Sequence, residues 1–159
     1  MSLVFSDWAT NRGDKRIQLA LLMFRIARGF RTSSNAAVRG FGRLVCLCYL
    51  IIVEWTWGIE LPWGTEVGPR LRIYHGTGLV VNANTKIGCD VVLRQGVCIG
   101  ARTNDGGAPR IGDRVSFGAN SMVLGGVHIG DDALIGAGAV VLADVSAGRS
   151  VVGNPARSL

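Results

Sequence analysis

The sequence predicts a mainly β chain built as a parallel β-helix and preceded by a short α-helical N-terminal region. Three observations lead there. A large apolar residue returns at every sixth position: Leu61, Val67, Ile73, then Val81, Ile87, Leu93, Ile99, and again from Ile111 through Phe117, Val123, Ile129 and Ile135 to Val141. The fifth position of each hexad is mostly small or β-branched, as at Thr65, Thr77, Thr85, Val97, Ser121, Ala139 and Val145. Glycine contributes 23 of 159 residues and proline only 4, and periodic glycine without proline marks a repeat fold rather than a disordered chain. The expected division is residues 1–58 for the helical region and 59–159 for the β-helix.

Residues 1–14 are polar and end in the turn-like Asn11-Arg12-Gly13-Asp14. Lys15–Arg31 reads as a helix, rich in strong helix formers and without Gly or Pro before Gly29. Its mixture of apolar residues and arginines suits either packing on protein or lying in a membrane interface. Thr32-Ser33-Ser34-Asn35 then supplies capping residues for a second helix from Ala36 to about Trp57. That helix is apolar nearly all round from Leu44 to Val53, which predicts deep burial. Trp55, Trp57 and Trp63 are expected to plug the open end of the β-helix, whose interior and strand edge would otherwise face water.

The array lacks hairpin turns at hairpin spacing, and a six-residue beat is the mark of a parallel β-helix. Each hexad forms one side of a triangular coil, so that three make a turn and like positions stack from coil to coil. Fourteen hexads, including a degenerate one at Ala147, give slightly under five coils. Two irregularities interrupt the beat: an extra pair at Leu79-Val80 and an excursion over Ala101–Arg110.

Charge and cysteines narrow the function. Residues 1–43 carry eight basic and two acidic side chains, the whole of the net +6, while the rest holds nine of each. Such a segment favours an anionic membrane surface or acidic partner, and residues 12–43 are the candidate contact. No nucleic-acid-binding motif surrounds the basic residues, so nucleic acid is not expected. Cys46, Cys48, Cys89 and Cys98 lack disulfide-framework or zinc spacing, and no metal is expected. With no signal-peptide pattern and an apolar run of only ten residues at Leu44–Val53, a cytoplasmic protein is expected, at most peripheral on the inner face of the membrane.

One stretch carries more than fold. Tyr74-His75-Gly76-Thr77-Gly78, the loop ending Ala108-Pro109-Arg110-Ile111-Gly112, the coil Ile135-Gly136-Ala137-Gly138-Ala139 and the closing Gly153-Asn154-Pro155-Ala156-Arg157 together resemble the hexapeptide-repeat, left-handed β-helix acyltransferases. More narrowly, they are similar to the serine acetyltransferase branch and, within it, to exopolysaccharide O-acetyltransferases of the colanic acid type. The resemblance covers about 45–157. It implies a left-handed coil, against the usual right-handed crossover, and an acetyl-CoA-dependent O-acetyltransferase working as a homotrimer, with the cosubstrate lying between adjacent subunits.

The resemblance also assigns residues. His75 would be the general base, since imidazole is the side chain that ordinarily exchanges protons near neutrality. Glu60, fifteen residues earlier where the branch has a carboxylate, would hold the ring's other nitrogen. Gly118, Ala119, Gly136 and Ala137, on neighbouring coils, would form a rail for the pantetheine arm or else be routine turn geometry. Arg157 would meet a CoA phosphate or be a solvated end. His128 reads as a solvated histidine. In serine acetyltransferases an Asp precedes the catalytic histidine and an Arg-His pair lies in the loop, whereas this chain has Tyr74, Gly107 and Ala108. A zwitterionic serine would lose both partners. The expected acceptor is therefore a saccharide hydroxyl, free, nucleotide-linked or lipid-linked, touched by Tyr74, Arg102, Asn104 and Asp105. A serine acetyltransferase and a non-catalytic trimeric scaffold are the alternatives.

Overall fold

A computed structural model describes residues 3–32, 35–103 and 107–159. A short 3-10 turn (Leu3–Phe5) leads to α1 (Lys15–Thr32) and α2 (Ala36–Tyr49), and α2 continues as a π-helical segment over Leu50–Thr56. Fifteen short strands follow. The first sheet stacks β1 (Ile59–Glu60), β4 (Leu79–Val81), β7 (Cys98–Gly100), β10 (Met122–Leu124) and β13 (Val140–Val141). The second stacks β2 (Glu66–Val67), β5 (Lys86–Ile87), β8 (Arg110–Ile111) and β11 (His128–Ile129). The third stacks β3 (Arg72–Tyr74), β6 (Val92–Arg94), β9 (Ser116–Phe117), β12 (Leu134–Ile135) and β14 (Ser150–Val152), closed by antiparallel β15 (Arg157–Ser158). All other pairings are parallel, and the coil is the expected left-handed parallel β-helix.

The six-residue beat becomes three inward columns. Leu61, Val81, Ile99, Val123 and Val141 stack on one side; Val67, Ile87, Ile111 and Ile129 on the second; Ile73, Leu93, Phe117, Ile135 and Val151 on the third, all buried. A one-residue slip would turn every one of these side chains outward, so the pattern fixes the register.

Two details differ from expectation, the place of the extra pair and the last coil. Register partners in the first two coils are 20 residues apart, as in Ile59↔Leu79 and Arg72↔Val92. Leu79 thus takes the buried place expected for Thr77, which is exposed. The extra pair therefore lies not at Leu79-Val80 but in the corner after Tyr74, because β-sheet register admits Leu79 inside and the corner absorbs the surplus. The excursion adds six residues to a third coil, with Lys86 paired to Arg110. The last coil is two residues short: Val145 bridges to Ile129 and Val151 pairs with Ile135. No hexad starts at Ala147, which is exposed, because the branched Val145 fills the inward place instead.

The helical region closes the first coil through polar groups as well as apolar ones. Ile17, Leu21, Phe24, Tyr49 and Val53 are buried over its end. Arg25 and Asp7 form a fully buried ion pair at 2.8 Å. Arg25 also donates to the carbonyls of Val67 and Gly68, both at 2.6 Å, and Asp7 accepts from Leu71 N–H at 2.9 Å. Asn11 accepts from Ile73 N–H and donates to Leu71 O, and Arg28 donates to Thr65 O. These bonds satisfy the edge of the first coil, which has no further strand to pair with. Part of the basic N-terminal charge is thus spent inside the protein.

The tryptophan plug is only partly realised: Trp57 and Trp63 pack against the core, while Trp55 is 73% exposed. The second helix is not buried all round either. Cys46, Tyr49 and Val53 face inward, but Phe41, Leu44, Leu47 and Ile51 are exposed, because the first coil can cover only one side of the helix. Among the described residues no helix is long and apolar enough to cross a membrane.

Candidate functional site

The corner between β3 and β4 is where the first coil spends its two surplus residues. Later coils turn the same corner with Gln95-Gly96, whereas this one uses His75-Gly76-Thr77-Gly78. His75 lies in the left-handed region at φ 66°, a conformation that costs a non-glycine residue energy and must be held by its surroundings. Arg16 on α1 holds it by donating to His75 O and, at 3.4 Å, to Thr77 Oγ1. Gly76, at φ 72°, is buried under the helix: a Cβ there would sit 3.0 Å from Ile59 Cδ1 and 3.1 Å from Ile17 Cδ1. Gly78 N donates to Gly58 O, and Gly96 N to Thr77 O, locking the corner between its neighbours.

The His75 side chain is exposed and borders a cleft of about 270 Å³. The other wall is the N-terminal turn at Asn11–Asp14, together with Arg72 and Tyr74. The guanidiniums of Arg72 and Arg94 lie over the Tyr74 ring, at 4.5 and 4.6 Å from its centroid. The ring thus already engages two protein cations.

Glu60 stands on β1, exposed on the outer face of the first sheet, in register with Val80 and then Cys98. Among the described residues no hydrogen bond joins it to His75. Beside it is a carboxyl that sequence reasoning passed over. Glu54, on the π-helical segment, keeps a buried Oε1 with no partner, and burial, then the nearby Glu60 charge, push its pKa up to about 7. The Cys98 thiol is also pushed up, by burial and then by Glu60, so it stays protonated rather than nucleophilic.

The small residues expected to form a rail lie on the same edge of the prism as His75. Backbone bonds run along it: Gly96 N to Thr77 O, Asn120 N to Gln95 O, Gly138 N to Ala119 O. At roughly 4.8 Å per coil, Ala119 and Ala137 sit about 10 and 14 Å along this edge from the histidine corner. Gly118 is required by the approach of the next coil, since a Cβ there would meet Ala137 N at 2.3 Å. Ala119 is half-buried and Ala137 exposed. Arg157 is exposed on β15 at the far end of the third sheet. Arg102 is exposed on a different edge, between the first and second sheets, so one chain does not bring it to His75; Asn104 and Asp105 lie outside the described residues. Among the described residues no three His, Cys, Asp or Glu side chains gather as a metal site.

Sequence reasoning singled out His75 and the small residues of this edge, and passed over Arg16, Glu54, Arg72 and Arg94. The last two had a signal: Arg72 and Tyr74 alternate on one strand face, and the coil register puts Arg94 beside Tyr74.

Comparison with known proteins fits this architecture. Residues 108–143 match the bacterial transferase hexapeptide (six repeats) family. The putative colanic acid biosynthesis acetyltransferase WcaB of Escherichia coli K12 is 42% identical over 66 residues, 41% of each chain. A serine acetyltransferase of Staphylococcus xylosus is 41% identical over 58 residues, 35% of this chain and 27% of that one. The matched segments thus span about two fifths or less of these curated relatives. The apoenzyme structure of soybean serine acetyltransferase superposes with a TM-score of 0.83 at 28% identity, covering 99% of this chain and 67% of that one.

Proposed function

We propose that this chain, whose repeats are those of the bacterial hexapeptide transferases, is an acetyl-CoA-dependent O-acetyltransferase that acts on a saccharide hydroxyl in exopolysaccharide biosynthesis. The observation that carries the reading is the shared edge: a histidine held in a strained corner at one end, and small residues on successive coils leading away from it. An extended thioester arm lying along Gly118, Ala119, Gly136 and Ala137 would bring its carbonyl to His75, and Arg157 is the candidate contact for a CoA phosphate. His75 takes the proton from the acceptor hydroxyl while that oxygen attacks the thioester carbonyl. The tetrahedral intermediate collapses, the C–S bond breaks, and the imidazolium returns the proton to the departing thiolate. Glu60 steadies the imidazolium once acceptor binding brings the two together, an arrangement that the free chain lacks.

The protein works as a homotrimer. Arg102 lies on a different edge than His75, so it reaches an acceptor only at a neighbouring subunit's histidine, and Asn104 and Asp105 are further candidate acceptor contacts. Peripheral contact with an anionic membrane through residues 12–43 is extended by the exposed Phe41, Leu44, Leu47, Ile51 and Trp55 beside Arg31 and Arg43. Arg16, Arg25 and Arg28 contribute less, being bonded to the first coil. Flotation with anionic liposomes at low salt tests that contact, and protein left at the bottom of the gradient refutes it.

The central test is thiol release from acetyl-CoA across saccharides, nucleotide sugars and L-serine, with wild type and His75→Ala. Saccharide-dependent release lost in the variant supports the reading. Release that survives His75→Ala overturns the mechanism. Release with L-serine alone selects the second reading, serine O-acetyl transfer, which the soybean superposition favours.

A further inference from the structure

Three cations on the outer faces of the β-helix meet acids in a neighbouring coil. Arg70 meets Asp90 at 2.6 Å, Lys86 meets Glu66 at 3.1 Å, and Arg114 meets Asp132 at 2.7 Å. The cleft beside His75 has no such pair among the described residues. Arg72 lines it, Arg94 stands in the adjoining coil, and both guanidiniums share one tyrosine ring, with no carboxylate on either among the described residues. Arg12 adds a third guanidinium on the opposite wall, also without an acid. The single carboxylate at the rim, Asp14, accepts from Ile17 N–H at 3.1 Å and so caps α1.

Placing like charges side by side on neighbouring strands is destabilising, and two cation–π contacts offset it only in part. A local charge conflict left in place beside a reactive side chain is the kind of exception that function explains.

We infer that the acceptor is anionic: the cleft between the N-terminal turn and the first coil binds a carboxylate or phosphate of the acceptor through Arg72 and Arg12, with Tyr74 and Arg94 holding Arg72 in place. The inference rests on the acetyl-transfer reading and deepens it. Guanidinium forks match either oxyanion. Because His75 borders the same cleft, an anion held at Arg72 presents the hydroxyls of its own or the adjoining sugar ring to the base. Arg72 and Arg12 act by positioning the acceptor; the proton transfer stays with His75.

The test uses matched pairs on the full chain: methyl β-D-glucuronide against methyl β-D-glucoside, glucose 1-phosphate against glucose, and an acidic polysaccharide against its carboxyl-reduced form. Thiol release should favour the anionic member about 10-fold in kcat/KM, the size of one charge-assisted contact. The preference should lie in KM and shrink as salt rises from 50 to 500 mM. A preference confined to the phosphate pair assigns the site to a glycosyl phosphate, and one confined to the other pairs assigns it to a uronate. Arg72→Gln and Arg12→Gln should each erase the preference, so that the two members of each pair release thiol at equal rates. Equal rates within every pair, or a preference that survives both substitutions, overturns the inference. Should no acceptor release thiol, calorimetric titration of methyl glucuronide and inorganic phosphate into wild type and Arg72→Gln still decides it. Arg72-dependent binding then upholds the anion site while the acetyl-transfer reading fails, and absence of binding refutes the site.

Discussion

Two edges of the same triangular prism show what this scaffold does with identical backbone geometry. Where the second sheet turns into the third, every coil places a residue in the left-handed region: Arg70, Asp90, Arg114 and Asp132 at φ between 57° and 62°, then Gly148 at 69°. Their side chains are joined in pairs, Arg70 to Asp90 and Arg114 to Asp132, each through two hydrogen bonds of 2.6 to 2.8 Å. Where the third sheet turns into the first, the corner residues are His75, then Gln95-Gly96, Ala119-Asn120 and Ala137-Gly138. No ion pair crosses this edge among the described residues, and its first corner is two residues longer than the next. One edge is stitched and the other is left bare. The bare edge is where a cosubstrate can lie, and the lengthened corner is where a base can project.

The sharpest way to break the contrast is to shorten that corner. Deleting Gly76 and Thr77 leaves Tyr74-His75-Gly78-Leu79, the same plan as Arg94-Gln95-Gly96-Val97 in the next coil. His75 would remain in the chain but lose its bond from Arg16 and its projection into the cleft. Misplacing a general base by an ångström costs about 100-fold, and losing it entirely about 10²–10⁴-fold. A fall in kcat of about 10³-fold is expected, with the β-helix intact by circular dichroism. Retained activity would mean that the extra residues have no catalytic purpose.

Filling the bare edge comes next. Ala119→Leu and Ala137→Leu add bulk at a half-buried and an exposed position, so the melting temperature should stay within about 2 °C. If the acetyl-CoA arm runs along these residues, its KM should rise about 10-fold for the pair, with the acceptor KM unchanged. Steady-state kinetics with each substrate varied separates the two. An unchanged acetyl-CoA KM would leave the small residues with turn geometry alone.

Glu54 tests the neighbourhood of Glu60 without touching the edge. Its carboxyl ordinarily titrates at 4.5 and is raised to about 7 in the fold. A raised acid pKa means that the folded state binds the proton more tightly than the unfolded one. Its contribution is therefore complete below about pH 4.5 and is lost as pH rises through about 7. Glu54→Gln removes that loss. Because the group is partly solvated, the effect is discounted to an expected rise in melting temperature of about 2–4 °C at pH 8, vanishing at pH 4. An equal effect at both pH values would show that Glu54 is not strained by its burial.

How much of this was legible in the sequence depends on which interaction a residue serves. The inward columns follow from periodicity alone, because burial at every sixth residue admits one register. His75 was legible through its local motif. The frame was misread at two places where two candidates compete for one inward site. Thr77 and Leu79 compete for the inward place before Val81, and Ala147 and Val145 for the one after Val141; only the neighbouring coil decides between them. Charge counting could not tell an arginine that caps a strand edge from one that meets a membrane, so Arg16, Arg25 and Arg28 read as free charge. The Arg72–Tyr74–Arg94 cluster needs the 20-residue offset of the first two coils, which the 18-residue rule conceals. Trp55 was misplaced because an apolar run does not state which side of a helix its core will cover.

The stitched edge supplies the smallest expected effect and the control for the others. Arg114 donates to both carboxylate oxygens of Asp132, at 2.7 and 2.8 Å, with Asp131 at 3.9 Å, yet all three side chains are about half exposed. Exposed ion pairs are screened by salt and stabilise little. Arg114→Ala should therefore lower the melting temperature by less than about 2 °C at low ionic strength, with no change in kcat/KM for either substrate. The Arg114 guanidinium holds the Asp132 carboxyl below its ordinary pKa of 3.8. A depressed carboxylate pKa gives stability that is present above the ordinary value and is lost as pH falls through the lowered one. The melting curves of wild type and variant should accordingly differ at pH 7 and converge as pH falls through the lowered value, and 0.5 M salt should bring them together at any pH. A loss of activity in Arg114→Ala would overturn the assignment of separate tasks to the two edges, because this residue lies on the opposite side of the third sheet from the histidine corner.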